Sequence, residues 1–218
     1  MDDTSGPVRP EHDLDHVADA QGRLLTLISG LTDGEARRAS LLPGWSVSHV
    51  LTHVARNADS HRRRAEAAAR GEVVDQYPGG FEGRAREIET GARRDAATVV
   101  ADVDSSARTL RATWERLPPS AWGRPTRDVA GHERPLRALP CRRWQELEVH
   151  AVDLGLGIGH RDWPEDFVAT WLPRLRSTLG GRLPVGATPP TLPDPRDELA
   201  WLYGRLDDPG LPVLEPWA

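Results

Sequence analysis

The amino-acid sequence predicts a mainly α fold, a four-helix bundle over residues 1–163 followed by a short C-terminal region over residues 164–218. Three observations carry that expectation. Long segments place apolar residues three and four apart, the period of a helix with one buried face. Gly, Pro and capping residues punctuate those segments. From Pro164 onward the composition shifts to shorter segments rich in Pro.

The first helix is expected from about Leu14 to Leu31, with Val17, Leu24, Leu25, Ile28 and Leu31 as its apolar stripe. Residues 1–10 read as a loose tail. The second helix is announced by LLPGWS, where Pro43 and Gly44 make a turn and Ser46 is placed to cap the first helical turn. It should reach about Arg70 and stop at Gly71, because glycine readily adopts the left-handed conformation that ends helices. Its stripe is Val47, Val50, Leu51, Val54 and Ala58.

A third helical region runs from about Phe81 to Leu117, interrupted near Gly91, with Val99, Val103, Leu110, Trp114 and Leu117 on its buried face. Residues 118–139 mix Pro, Gly and short alternating apolar positions, the pattern of a hairpin or an irregular excursion. The fourth helix starts near Pro140 and ends in LGLG, where Gly155 and Gly157 permit a turn. A helix from Glu165 to Leu179, the linker PVGATPPTLPDP, a short helix from Asp197 to Leu206 and an extended end complete the chain.

Composition limits the function. A chain of 218 residues with 38% hydrophobic and 28% charged residues can bury a core and keep a solvated surface. The net charge of −5 gives no basic footprint for nucleic acid, although Arg62, Arg63 and Arg64 form a local cluster, read as an exposed helix face. No stretch approaches the roughly 18 apolar residues of a membrane span, and the start MDDTSGPVRPEHD is unlike a signal peptide. A cytoplasmic monomer is expected. The single Cys141 excludes a disulfide framework and any Cys-rich zinc module, so a bound metal needs His and carboxylate ligands.

Within WQELEVHAVDLG, Glu146, His150 and Asp153 are spaced by four and three, which stacks them on one helix face. In the second helix, His49, His53 and Asn57 form another such row beside the apolar stripe. His53, Glu146 and His150 together would offer two imidazoles and one carboxylate, leaving a fourth zinc position open as in catalytic sites. His49 is an alternative to His53 at this point, and the bland reading of Glu146 and His150 is an intrahelical pair. Glu148, two residues from His150, points elsewhere. Cys141 reads as a small buried residue. Trp45 and Trp144 are expected near helix ends, and Trp163 and Trp217 in motifs that fix loops.

The blocks LLPGWSVSHVLTHVARNADS, YPGG with REIETGARR, LPCRRWQELEVHAVDLGLG and DWP follow in order, and ELAWLYGR and LPVLEPW come near the end. Together they resemble the mycothiol-dependent maleylpyruvate isomerase family, within the DinB-like group of metal-binding helical bundles. The resemblance spans about residues 14–165 before returning in the final segment. It implies a DinB-like four-helix bundle, with zinc or another divalent metal held by His53, Glu146 and His150. Mycothiol is the implied thiol cosubstrate, and Arg205 in WLYGR an implied catalytic residue suited to hold a substrate carboxylate. His49 and Asp153 would orient the metal ligands.

Such a site implies a thiol activated as its thiolate. It would add to the cis double bond of maleylpyruvate, allow rotation and be expelled from the trans product, or stay attached to an electrophile as in an S-transferase. In place of the family's larger α/β C-terminal domain, only the Pro-rich linker separates the last two helices, so a reduced C-terminal extension and weak or absent maleylpyruvate isomerisation are expected. The alternatives are a zinc hydrolase, which lacks HExxH here, and a non-enzymatic binding protein in which metal only fixes the bundle.

Overall fold

Side-chain caps set the starts of several of the helices. The computed structural model describes residues 8–215, so Trp217 and most of the expected N-terminal tail lie outside the described residues. The first helix, α1, spans Glu11–Leu27. A five-residue helix that the periodicity did not indicate, α2 (Asp33–Arg37), follows from a capping box in which Thr32 and Glu35 bond reciprocally. Helix α3 spans Val47–Arg70 with Ser46 as its cap, and it ends at Gly71 with φ of 81°.

The third helical region divides near Gly91, as expected. Helix α4 is Gly80–Gly91, and α5 is Ala96–Glu115 with Asp95 capping through Thr98 N–H. Gly83 lets α4 sit against the preceding loop, since a Cβ there would stand 1.8 Å from the Pro78 carbonyl oxygen. The excursion is a hairpin of β1 (Pro125–Arg127) and β2 (Glu133–Pro135), paired antiparallel with Thr126 opposite Arg134. Helix α6 spans Leu139–Asp153.

The bundle consists of α1, α3, α5 and α6. Helix α3 packs most extensively on α5, and α1 on α6, whereas α1 and α5 meet only briefly. The α3 stripe Val47, Val50, Leu51, Val54 and Ala58 is buried, as are Val99, Val103, Leu110 and Trp114 of α5. One core cluster joins Ala58, Ala65 and Ala68 to Leu110, Trp114, Trp122 and Leu139. Trp144 is fully buried and Trp45 partly so. Cys141 is buried in the first turn of α6.

The arginine cluster is not an exposed face throughout. Arg62 pairs with Glu66, and Arg63 bonds the Gln76 carbonyl. Arg64 is buried, with its guanidinium on the Ser60 and Arg127 carbonyls, because the side of α3 it occupies is covered by the hairpin. None of the described helices is long and apolar enough to cross a membrane.

Contacts divide the chain after Leu156 into a bundle unit and a second unit beginning at Gly157. The second unit contains α7 (Glu165–Arg176) and α8 (Pro195–Leu202). Trp163, Phe167 and Tyr203 pack ring against ring, with centroids 5.5 to 6.4 Å apart. Asp197 binds both His160 and Arg161 and so fastens α8 to the turn before α7. No β-strand occurs among this unit's described residues.

Candidate metal centre

The turn LLPGWS brings α3 and α6 into register. Leu41 N–H donates to the Asp153 carbonyl (2.8 Å) at the end of α6, and Arg38 donates to the Gly155 carbonyl (2.9 Å). This holds the first turns of α3 beside the last turns of α6. His53, Glu146 and His150 therefore converge, each offering a ligand atom within 4.8 Å of the others. The two imidazole rings stand 4.7 Å apart at an interplanar angle of 87°.

Glu146 Oε2 lies 2.9 Å from His53 Nε2 and 3.3 Å from His150 Nε2. The His53 side chain is only 4% exposed and His150 14%, whereas Glu146 keeps 32% exposure. The cluster is thus walled on its imidazole sides and open past the carboxylate.

The two histidines are held differently. His150 Nδ1 lies 2.8 Å from Asp153 Oδ2, a fully buried carboxylate that accepts its proton and leaves Nε2 facing Glu146. His53 Nδ1 instead receives a hydrogen bond from Arg84 of α4 (3.1 Å). A guanidinium can only donate, so this contact requires the lone pair of His53 at Nδ1 and its proton at Nε2, directed to Glu146. Arg84 also lies over the rings of Trp45 and Tyr77, 5.7 and 5.8 Å from their centroids.

Electrostatics follow from these bonds. Burial disfavours charge on His53 and pushes its pKa down to about 4 despite the Glu146 contact. His150 is raised to about 9, because hydrogen bonds to Asp153 and Glu146 outweigh the burial that opposes its charge. For Glu146, burial acts upward, but the bonds from His150 and His53 hold it well below the usual carboxylate range. Both histidines therefore direct an Nε2–H at the Glu146 carboxylate.

The residues present fit a divalent metal by donor chemistry: two imidazole nitrogens and a carboxylate oxygen converge, with an open side left for a further ligand. Asp153 is placed as the partner of a metal-binding histidine usually is. Arg84 is not, and a metal on His53 Nε2 requires it to turn away so that the ring can carry its proton on Nδ1.

Of the other sequence candidates, His49 does not reach this cluster. It closes the capping box with Ser46 and faces Glu89 at 3.4 Å, because its place three residues inside the helix is where a cap partner belongs. Glu148 points elsewhere, as expected, binding Arg23 and the Trp144 indole. Arg205 lies in the second unit just after α8, donating its backbone N–H to Ala200 and Nη1 to the Tyr203 carbonyl, each at 2.7 Å. Arg84 was not anticipated, and one arginine among 28 basic residues carries no spacing signal that could mark it.

No curated protein matches the sequence. The fold matches the crystal structure of a mycothiol-dependent maleylpyruvate isomerase with a TM-score of 0.85 and 22% identity, over 96% of this chain and 98% of that one. A histidine-to-alanine mutant of that isomerase matches with a TM-score of 0.84, at the same identity and coverage. At this identity the likeness speaks to the fold. The chain spans nearly the whole length of that solved structure. The sequence profile of the mycothiol maleylpyruvate isomerase N-terminal domain matches residues 17–155, a span containing His53, Glu146 and His150. With well over half of its length matched, the chain belongs to the mycothiol maleylpyruvate isomerase N-terminal domain family.

Proposed function

We propose that this chain is a metal-dependent enzyme that uses mycothiol to isomerise maleylpyruvate, with S-transfer to an electrophile as the variant reaction. The observation that supports this most is the convergence of His53, Glu146 and His150 in a bundle of this family. A divalent metal held by those residues, zinc by ligand type, supplies the positive charge that keeps a thiol ionised at neutral pH.

The protein's own groups prepare that site. Asp153 fixes the His150 ring by accepting its Nδ1 proton and keeps Nε2 directed inward. Burial keeps His53 neutral, the form a ligand needs. The exposed side of Glu146 leaves the approach for the thiol and the substrate. Isomerisation then consumes nothing: a thiolate bonds to one carbon of the cis double bond, the resulting single bond rotates, and the carbon–sulfur bond breaks as the trans double bond forms. In S-transfer the new carbon–sulfur bond is retained.

Arg205 is proposed to hold a substrate carboxylate, its planar fork matching that group. In this reading, residues 1–163 hold the metal, residues 164–218 contribute Arg205, and the enzyme acts as a cytoplasmic monomer. The match to the solved isomerase over nearly its whole length supports maleylpyruvate as the first substrate to assay.

The test is an assay of the metal-loaded protein with maleylpyruvate and mycothiol. Turnover should require both and should stop when the metal is chelated. Arg205→Ala should leave metal and thiol binding nearly intact while lowering turnover, and unchanged turnover would remove Arg205 from the mechanism. Thiol adducts with other electrophiles, in the absence of isomerisation, would shift the assignment to S-transfer.

A further inference from the structure

The seam where α1 and α5 meet only briefly opens into a cavity of about 300 Å3. Its lining shares no residue with the His53, Glu146 and His150 cluster, and the argument for it does not depend on the thiol chemistry. Leu14, Val17 and Leu25 of α1 face Ala107 and Leu110 of α5 and give it an apolar stretch, while Arg9, Arg108 and Arg111 alternate with Glu11, Asp15, Asp104 and Glu115 around its exposed rim. Arg143, Gln21 and Trp114 also border it: Gln21 and Trp114 each keep a buried donor without a partner, and Arg143 is hydrogen-bonded but has no ion-pair partner among the described residues.

Arg143 is fully buried, yet its guanidinium meets only neutral acceptors. Nη1 donates to the Val54 carbonyl (2.8 Å) and Asn57 Oδ1 (2.9 Å), and Nη2 donates to Gln21 Oε1 (3.2 Å). None of the ion pairs among the described residues includes it. Glu146, one turn further along α6, and Asp59 attract it through space, but neither is hydrogen-bonded to it, and Glu146 is already engaged by two histidines. A buried cation without an anion beside it is a costly arrangement.

The other two groups point to the same missing partner. Since a guanidinium only donates, the Gln21 oxygen must face Arg143, and its amide NH2 is left buried without a partner. The Trp114 indole N–H is buried and unpartnered too, in a side chain only 2% exposed. Two free donors and a buried positive charge thus border the inner, apolar end of one cavity whose exposed rim carries both signs of charge, and its size is at the lower end for small-molecule sites. An acceptor carrying negative charge would satisfy all three, and an apolar tail would fill the space between the helices.

We propose that this cavity binds a small apolar carboxylate. The tail lies between the Leu14, Val17 and Leu25 wall and the Ala107 and Leu110 wall. The carboxylate faces Arg143 and accepts hydrogen bonds from Gln21 and Trp114.

Titration of the 15N-labelled full chain with octanoate tests this. The Trp114 indole cross-peak, identified as the one lost in Trp114→Phe, should shift and saturate in the micromolar range. Octanol, with the same tail and no charge, should bind at least about tenfold more weakly. Ala107→Trp, at the partly exposed rim, should abolish the shift while leaving the melting temperature within a few degrees. Arg143→Gln should erase the preference for octanoate; if that variant does not fold, the octanoate and octanol comparison in the wild type decides the same point. Binding should persist in His53→Ala, which separates this site from the metal centre. A Trp114 cross-peak unmoved at millimolar octanoate, as for a cavity holding only water, would overturn the proposal. So would equal affinities for octanoate and octanol, or undiminished binding in Ala107→Trp.

Discussion

Two buried polar clusters share α6 and are satisfied in different ways. Around Glu146, donors and acceptors bond in series: Arg84 to His53, His53 to Glu146, Glu146 to His150, His150 to Asp153. Three residues earlier, Arg143 stands among neutral oxygens beside an opening. The first cluster closes on itself, each group bonded to the next. The second leaves charge and donors unmatched, and so indicates a ligand of opposite charge. The same contrast runs inside the first cluster, where His150 faces an acceptor and His53 a donor. The acceptor supports metal binding and the donor opposes it.

Breaking the supporting side should have the largest effect. Asp153→Ala is expected to weaken metal affinity by about 10–100-fold, because the His150 ring loses the acceptor that sets its tautomer and orientation. Competition with a chromogenic chelator measures this. An unchanged affinity would mean that Asp153 serves only the end of the helix.

A smaller effect concerns pH and the metal-free protein. The folded His150 pKa is raised to about 9, so its contribution to stability is present below its unfolded value near 6.5 and is lost as pH rises through about 9. The folded His53 pKa is lowered to about 4, so stability is lost as pH falls from about 6.5 toward 4. Metal-free protein should therefore be most stable near neutrality. Metal loading should remove the alkaline loss, because a bound His150 has already released its proton. Urea denaturation across pH, with and without metal, checks both halves, and an alkaline loss that persists in the loaded protein would contradict the assignment.

The smallest effect comes from removing the opposing contact. Arg84→Met should tighten metal binding, by up to about tenfold, since one hydrogen bond of about 1 kcal/mol no longer holds the wrong tautomer. Weaker binding would instead make Arg84 a support of the site.

How much of this was legible in the sequence depended on how local the cause was. Caps and periods are local, so the α3 start at Ser46, its end at Gly71 and the break near Gly91 could be read directly. The short helix α2 escaped because five residues hold too little periodicity, although the Thr32 and Glu35 capping box marks its start. Glu146, His150 and Asp153 were visible as one helical row. Their union with His53 rests on the contact of α3 with α6, which spacing can suggest but not specify. Arg84 and the burial of Arg64 and Arg143 were not legible, because each depends on which neighbour covers a helix face.

The central claim is that His53, Glu146 and His150 hold a divalent metal, and metal analysis of the purified full chain tests it most directly. After incubation with zinc and removal of excess, the wild type is expected to carry about one ion per chain. His53→Ala, Glu146→Ala and His150→Ala should each stay folded by circular dichroism and lose most of the bound metal. A wild type that cannot be loaded, or three variants that all retain full metal, would contradict the account.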